Sequence, residues 1–242
     1  QSYFFNAFKY KPGIRRAYKL NDVIATISEF SKKDISQKVG VPESKIQVIP
    51  NGMRPLYPSN PAMQAELGKR FGLDDGFVLN VGGVHERKNI VRLIHAFAIL
   101  VKKHHFPGKL LITGSVSGAP YQAKMKALCD TAVREKEMGE RVIFTGYVSD
   151  EELDSLMRMA LFLIYPSLYE GFGIPVLEAM QVGTPVITSN VTAMPEVTGD
   201  AALLVDPLNE QEMTAAMAKL ISDEELRNAL IHKGNAQVKL FS

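Results

Sequence analysis

The feature that most limits how this chain can fold is the alternation, from about Phe77 onward, of strand-sized apolar runs with segments of helical period. Phe77-Val78-Leu79-Asn80-Val81 is a short run of the kind buried on both faces of a sheet. Asn89 to Lys103 then places Ile90, Leu93, Ile94, Phe97 and Leu100 on one helical face. The alternation repeats. Leu110 to Thr113 is followed by a helical segment from Tyr121 to Lys136, and Val142 to Phe144 by a helix opening at Ser149-Asp-Glu-Glu152 and running to Met159. Leu161 to Tyr165 is followed by a short helix with Pro175 in its first turn. Pro185 to Thr188 and Ala202 to Val205 are further strands. Asn209-Glu-Gln-Glu212 and Ser222-Asp-Glu-Glu225 carry the spacing of capping boxes, each opening a helix. Such alternation predicts the α/β class: a Rossmann-like parallel sheet with helices on both faces and right-handed crossovers. Ligands of such sheets bind outside the carboxyl ends of the strands. The loops that follow strands are therefore where chemistry is expected.

The region before Phe77 reads differently. Val23 to Ile27 is a strand, Ser28 to Lys38 a helix and Ile46 to Ile49 a strand, followed by the turn Pro50-Asn51-Gly52. Pro55, Pro58 and Pro61 then interrupt regular structure and predict a linker. The expected division is residues 1–52 as the tail of a first, partial Rossmann-like domain, and residues 53–242 as a second domain. The chain opens at Gln1 and closes inside an amphipathic pattern at Leu240-Phe241-Ser242, so both ends are expected to continue in a longer protein.

Composition excludes several classes. A net charge of +2 gives no electrostatic drive toward nucleic acid. Cys129 is the only cysteine, so no intrachain disulfide can form, as expected of a cytoplasmic protein. No apolar run reaches the length of a membrane span. The stretch from Tyr3 to Lys19 mixes aromatics with Lys9, Lys11, Arg15 and Arg16, and is a candidate for peripheral contact with the inner face of a membrane. A helix at a domain interface has the same composition.

The loop after Leu161–Tyr165 carries the densest chemistry. It reads Tyr165-Pro-Ser-Leu-Tyr-Glu170-Gly-Phe-Gly-Ile-Pro-Val-Leu-Glu178-Ala-Met180. Gly171 and Gly173 flank Phe172 and permit a ligand to approach the backbone. Ile174 and Pro175 open a helix whose first N–H groups attract anions such as phosphate. Glu170 and Glu178 are suited to accept hydroxyl protons from a sugar or ribose. Glutamate near a helix start is also ordinary helix punctuation.

A second loop, Val81-Gly-Gly-Val-His-Glu-Arg-Lys-Asn89, follows the Phe77–Val81 strand. Gly82 and Gly83 allow close approach. Arg87 and Lys88 place two cations at a helix start, where the dipole opposes them, and a bound pyrophosphate would relieve that conflict. Gly114 in Thr113-Gly-Ser115 and the Gly146-Tyr-Val148 turn follow two further strands. No Asp-x-Asp pair is present to hold a divalent ion on a diphosphate. The histidines show no metal-ligand spacing with Cys129.

The segment Glu170-Gly-Phe-Gly-Ile-Pro-Val-Leu-Glu178 resembles the E-x7-E motif of glycosyltransferase family 4. The likeness continues through Gly183-Thr-Pro-Val-Ile187, Pro195-Glu196 and Gly199 to Pro207, and upstream through Ile24 to Ser28 and Val48 to Gly52. It thus runs in order over nearly the whole chain. The resemblance implies a GT-B architecture, with this chain supplying the C-terminal donor-binding domain up to an incomplete crossover helix. It implies retaining transfer of a hexose from a nucleoside-diphosphate sugar to a glycan or lipid-linked acceptor. The Arg-Lys-Asn variant is similar to a mannosyltransferase-like branch, which favours GDP-mannose as donor.

The resemblance also assigns roles. Arg87 and Lys88 would grip the diphosphate, the more so because Gly82-Gly83 stands where relatives often have Gly-Arg. Glu170 would hold a hydroxyl of the donor sugar, and Glu178 the ribose. The backbone from Gly171 to Gly173 would meet sugar or phosphate, Val148 would lie against the base, and neither a cofactor nor a metal is expected. A nucleotide-sugar epimerase on the same fold, or a non-catalytic nucleotide-sugar-binding module, would carry many of the same residues.

Overall fold

The computed structural model describes residue 13, residues 16–18 and residues 20–241. The Tyr3–Lys19 stretch, and with it the expected membrane contact, lies outside the described residues except at 13 and 16–18. The chain separates into two compact units, residues 1–52 and 53–242.

In the first unit, β1 (Ile24–Thr26) and β2 (Ile46–Val48) pair in parallel, with α1 (Glu29–Val39) between them in sequence. Ser28 caps α1 by accepting from Ser31 N at 3.0 Å. Ile24, Val41 and Ile46 form a small apolar cluster.

The second unit opens on a segment without regular structure, followed by α2 (Pro61–Phe71). Pro61 therefore does not interrupt structure, as the proline spacing suggested; it begins a helix. Asn60 caps that helix by accepting from Met63 N at 3.1 Å. Proline fits the first turn because no N–H is needed there and its fixed φ is already helical.

The sheet follows, built from β3 (Phe77–Val81), β4 (Lys109–Thr113), β5 (Val142–Gly146), β6 (Phe162–Tyr165), β7 (Val186–Ser189) and β8 (Leu203–Val205). All pairings are parallel, in the order β5-β4-β3-β6-β7-β8. The chain starts in the middle at β3, moves outward to β5, then returns to lay β6 against the other side of β3. The order thus reverses between β3 and β6, the switch point outside whose carboxyl ends sheets of this kind form their binding crevice.

Strand residues Val78, Leu79, Leu110, Leu111, Leu163 and Ile164 are wholly buried, as both-face coverage requires. On one face α3 (Ile90–His104) packs between α4 (Pro120–Glu135) and α8 (Glu210–Ser222). On the other, α2 packs on α5 (Asp150–Met159), α5 on α6 (Ile174–Gln181), and α6 on α9 (Glu224–Gln237). The short α7 (Met194–Thr198) lies between β7 and β8 in sequence. Among the described residues no helix is long and apolar enough to cross a membrane.

The caps test the sequence reading in detail. Ser149 and Glu152 form the expected reciprocal box at α5, with bonds of 3.2 and 2.8 Å. At α8, Asn209 caps alone: it accepts from Gln211 N and Glu212 N, while the Glu212 carboxylate turns to Asp206 N. At α9 the cap is Asp223, one residue later than expected, accepting from Leu226 N at 2.8 Å. Ser222 instead ends α8 and bonds back to Ala218 O, because a serine hydroxyl can satisfy itself on the preceding turn.

Candidate functional site

The loops after β3 and β6 meet at the crevice where the strand order reverses. After β3 the chain runs through Gly82 to His85 and then makes one tight turn, Glu86–Lys88, before α3 begins at Ile90. Arg87 and Lys88 therefore lie just before the first turn of α3, at its positive end. Asn89 separates turn from helix with a left-handed backbone, φ 60°. Its side chain donates to Pro207 O at 2.6 Å and to Pro166 O at 3.2 Å, tying together the loops after β3, β6 and β8.

The two cations converge on Glu170. Lys88 Nζ lies 2.8 Å from Glu170 Oε1, and Arg87 Nη1 reaches the same oxygen. The Tyr165 hydroxyl donates to it as well, at 2.9 Å, and accepts in turn from Lys88. The Lys88 ammonium also stands 4.2 Å from the centre of the Tyr165 ring. Glu170 thus supplies within the chain the counter-charge that the two cations need. The Lys88 and Glu170 side chains are only 6% and 11% exposed, whereas Arg87 keeps 38%. Arg87 is the arm facing solvent and Lys88 the buried one.

Burial sets the titration of these groups. Desolvation drives the Lys88 ammonium below its ordinary pKa, and neighbouring Arg87 pushes the same way; Glu170 offsets only part of this. Burial alone would raise the Glu170 carboxyl, but Lys88, Arg87 and the Tyr165 hydroxyl outweigh it and hold it below the ordinary carboxylate range. Burial, reinforced by Glu170, pushes the Tyr165 phenol far up, so it stays protonated as a donor. His85, at the head of the basic turn, is lowered by burial and then by Arg87 and Lys88.

The glycines of these loops serve the protein's own packing. A Cβ on Gly82 would lie 2.8 Å from Lys88 Cε, so a side chain there would displace the lysine. Gly83 and Gly114 stand back to back: a Cβ on Gly114 would lie 2.5 Å from Gly83 N, and one on Gly83 would run into Ser115 O. Gly82 N and Gly83 N both donate to Thr113 O, at 3.0 and 2.8 Å. These amides are spent on joining the β3 and β4 loops. The same join continues outward, where Gly114 N donates to Gly146 O at 2.9 Å, next to the turn holding buried Val148 and exposed Tyr147.

The other residues of the Tyr165–Met180 segment are divided between two places. Gly173, with a left-handed backbone at φ 113°, caps α6 with no side-chain bond, directly after Glu170, Gly171 and Phe172. Ile174 is half exposed, while Phe172 is buried with its ring edge-on to Phe241, centroids 5.5 Å apart. Glu178 points elsewhere. It is 7% exposed, and Arg54 Nε donates to its Oε1 at 2.7 Å. Arg54 grips Asp154 with its other two nitrogens. Sequence reading missed Arg54, Asp154, Asn89 and the Tyr165 hydroxyl. Asn89 and Tyr165 are end residues of the two loops singled out in the sequence, and their bonding roles could have been suspected; Arg54 sits among prolines with no pattern around it.

The chain as a whole is similar to known proteins. Residues 66–237 match the family described as glycosyl transferases group 1. Among curated proteins, the chain is 33% identical over 222 residues to O-antigen chain mannosyltransferase B of Escherichia coli, covering 91% of this chain and 57% of that protein. Among solved structures, it superposes on sucrose-phosphate synthase from Thermosynechococcus elongatus with a TM-score of 0.80 and 26% identity, covering 96% of this chain and 57% of the other. On Anabaena Alr3699/HepE in complex with UDP and glucose the TM-score is 0.86 at 20% identity, covering 100% and 65%. The chain thus spans little more than half the length of the first of these relatives.

Proposed function

The chain belongs to the glycosyl transferases group 1, and from that membership we propose that it forms the donor-binding part of a retaining glycosyltransferase. The donor is a nucleoside-diphosphate hexose, best read as GDP-mannose, and the acceptor is a hydroxyl of a glycan or lipid-linked sugar. One observation carries the reading: Arg87 and Lys88 converge at the β3/β6 switch point on a single carboxylate, Glu170, four residues before the start of α6. Two partly desolvated cations that, among the described residues, share one carboxylate as counter-charge form a receptor for a more highly charged anion. The mannosyltransferase named among the relatives favours mannose as the sugar.

In this reading the bond between the anomeric carbon and the diphosphate breaks, and its electron pair leaves with the diphosphate. Arg87 and Lys88 meet that developing charge, and the α6 start adds its dipole. The acceptor hydroxyl oxygen bonds to the anomeric carbon on the face the diphosphate leaves, and its proton passes to the departing diphosphate oxygen on that same face. Glu170 orients a sugar hydroxyl and is not the nucleophile. Its Oε1 already accepts from Arg87, Lys88 and Tyr165, which draws down its electron density. Glu178 receives the ribose hydroxyls and the Val148 turn lies toward the base. Phosphate is neutralised by side chains, so no metal is needed. The cytoplasm, where nucleotide sugars are made, is the proposed compartment, with peripheral membrane contact through the first unit.

The test is a thermal-shift panel of GDP, UDP, ADP and their sugars, followed by product analysis with and without acceptor. A ligand at about 100 times its Kd stabilises by about 2.7 kcal/mol. GDP and GDP-mannose are expected to give the largest shifts. No response to any nucleotide would sink the proposal.

A further inference from the structure

Arg54 links two carboxylates that sequence alone does not connect. It lies two residues past the boundary between the units, in the irregular segment before α2. Its Nε donates to Glu178 Oε1 at 2.7 Å, and its Nη1 and Nη2 both reach Asp154, Nη1 at 3.1 Å. The Asp154 side chain is 2% exposed and also accepts from Tyr57 N at 2.9 Å, so it is a fixed point. The planar guanidinium transmits that fixity to Glu178: held at two nitrogens by Asp154, it presents the third in one direction only. Gln181, one turn along α6 from Glu178, donates to Arg54 O at 3.5 Å and holds the same segment from the other side.

We infer that Arg54 is a positioning residue, which, anchored by Asp154, holds Glu178 Oε1 so that Oε2 is presented to the ribose hydroxyls of the donor. The inference rests on the reading of Glu178 as the ribose acceptor. A glutamate side chain has χ rotations to lose, and fixing it before the ligand arrives lowers the ordering cost of binding. The net charge of the Asp154–Arg54–Glu178 group is negative, which suits an acceptor of hydroxyl protons and opposes a phosphate. The ribose is thereby kept apart from the cationic pair at Glu170.

The experiment measures nucleoside-diphosphate affinity in the full-length protein, for the ribonucleotide and its 2′,3′-dideoxy analogue. The readout is the ratio of the two dissociation constants. Glu178→Ala should collapse the parent ratio by about tenfold, the loss of a bond to a charged acceptor. Arg54→Gln should lower the ratio by a similar factor with the dideoxy affinity within about twofold of the parent. Arg54→Gln paired with Asp154→Asn removes the buried charge that would otherwise be stranded, and should show the same collapse while remaining folded. Arg54→Lys should recover part of the ratio, because one ammonium cannot serve both carboxylates in the same geometry. If Glu178→Ala loses the ratio but both Arg54 variants keep it, positioning is wrong and the ribose role stands. If Glu178→Ala keeps it, the ribose role fails and the inference with it. Equal losses for both nucleotides on changing Arg54 would mark a purely structural residue. A rise in the ratio would mean that Arg54 competes with ribose; either result overturns the inference.

Discussion

Lys88 Nζ sits 2.8 Å from Glu170 Oε1, and both side chains are almost shut off from solvent. One belongs to the loop after β3 and the other to the loop after β6, so the ion pair spans the crevice where the strand order reverses. Neither charge is stable there alone: an unpaired buried ion costs several kcal/mol. The pair therefore fixes the two loops against each other; in the proposed donor site its cations would turn to the more highly charged diphosphate.

Replacing Lys88 by alanine is expected to weaken nucleoside-diphosphate binding by about 1.5–3 kcal/mol, at least tenfold in Kd. Arg87→Ala should fall in the same range, at its lower end because Arg87 is more exposed. Calorimetric titration with the diphosphate checks both. An unchanged affinity for the Lys88 variant rules out the phosphate clamp.

The acid limb of stability should report Glu170. Its folded-state carboxyl titrates below the ordinary value, so the stability it adds is present above about pH 4.3 and is lost as pH falls through the lower, folded pKa. Glu170→Gln should therefore be less stable than the parent near neutrality, with the gap in Tm narrowing toward pH 3. A gap that is constant across this range contradicts the ion-pair account.

Gly83→Ala and Gly114→Ala should each destabilise the second unit. Both glycines have positive φ, 69° and 111°, and a Cβ on either strikes the backbone of the other's loop. Backbone cannot move aside as a side chain can. A loss of at least about 2 kcal/mol is expected, a fall of roughly 4–8 °C in Tm. Parent-like melting of either variant would show that the two loops are not in contact.

Diphosphate affinity should be the same in excess chelator as in millimolar magnesium, within about twofold, because in the proposed site Arg87, Lys88 and the α6 start carry the neutralisation. A tenfold dependence on magnesium would replace this account with a metal-bridged one.

Cys129 should resist alkylation in the native protein. It is fully buried, and burial pushes its thiol up to about 12, leaving almost no thiolate at neutral pH. Labelling should appear only with unfolding; rapid native labelling would mean that α4 opens readily from the sheet.

Much of this protein is written in short stretches of sequence. The Phe77–Val81 run is apolar because both faces of β3 are covered, and the 3.6-residue spacing of Ile90, Leu93, Ile94 and Phe97 follows from covering one of those faces. The carboxyl-end loops, with Arg87, Lys88 and Glu170, were legible for the same reason: alternation fixes where loops fall. α2 was not legible, since prolines at 55, 58 and 61 look alike in sequence and only Asn60 and the packing on α5 make Pro61 a helix start. The glycines were legible as special positions, but not for which partner: Gly83 answers to Gly114, a residue from another strand's loop.

Local periodicity, then, determined by itself the α/β class and the order of the strands, and short motifs carried the family resemblance, because each depends on residues within a few turns of one another. The tertiary structure alone decided which charge meets which. Glu170 and Glu178 lie eight residues apart and look equivalent in the chain, yet one faces Lys88 and Arg87 across the crevice and the other faces Arg54 and Asp154. The strand reversal between β3 and β6 and the path of the segment before α2 bring those partners in from 83 and 124 residues away. Electrostatic partnership is set by distance in space, and no local pattern encodes it.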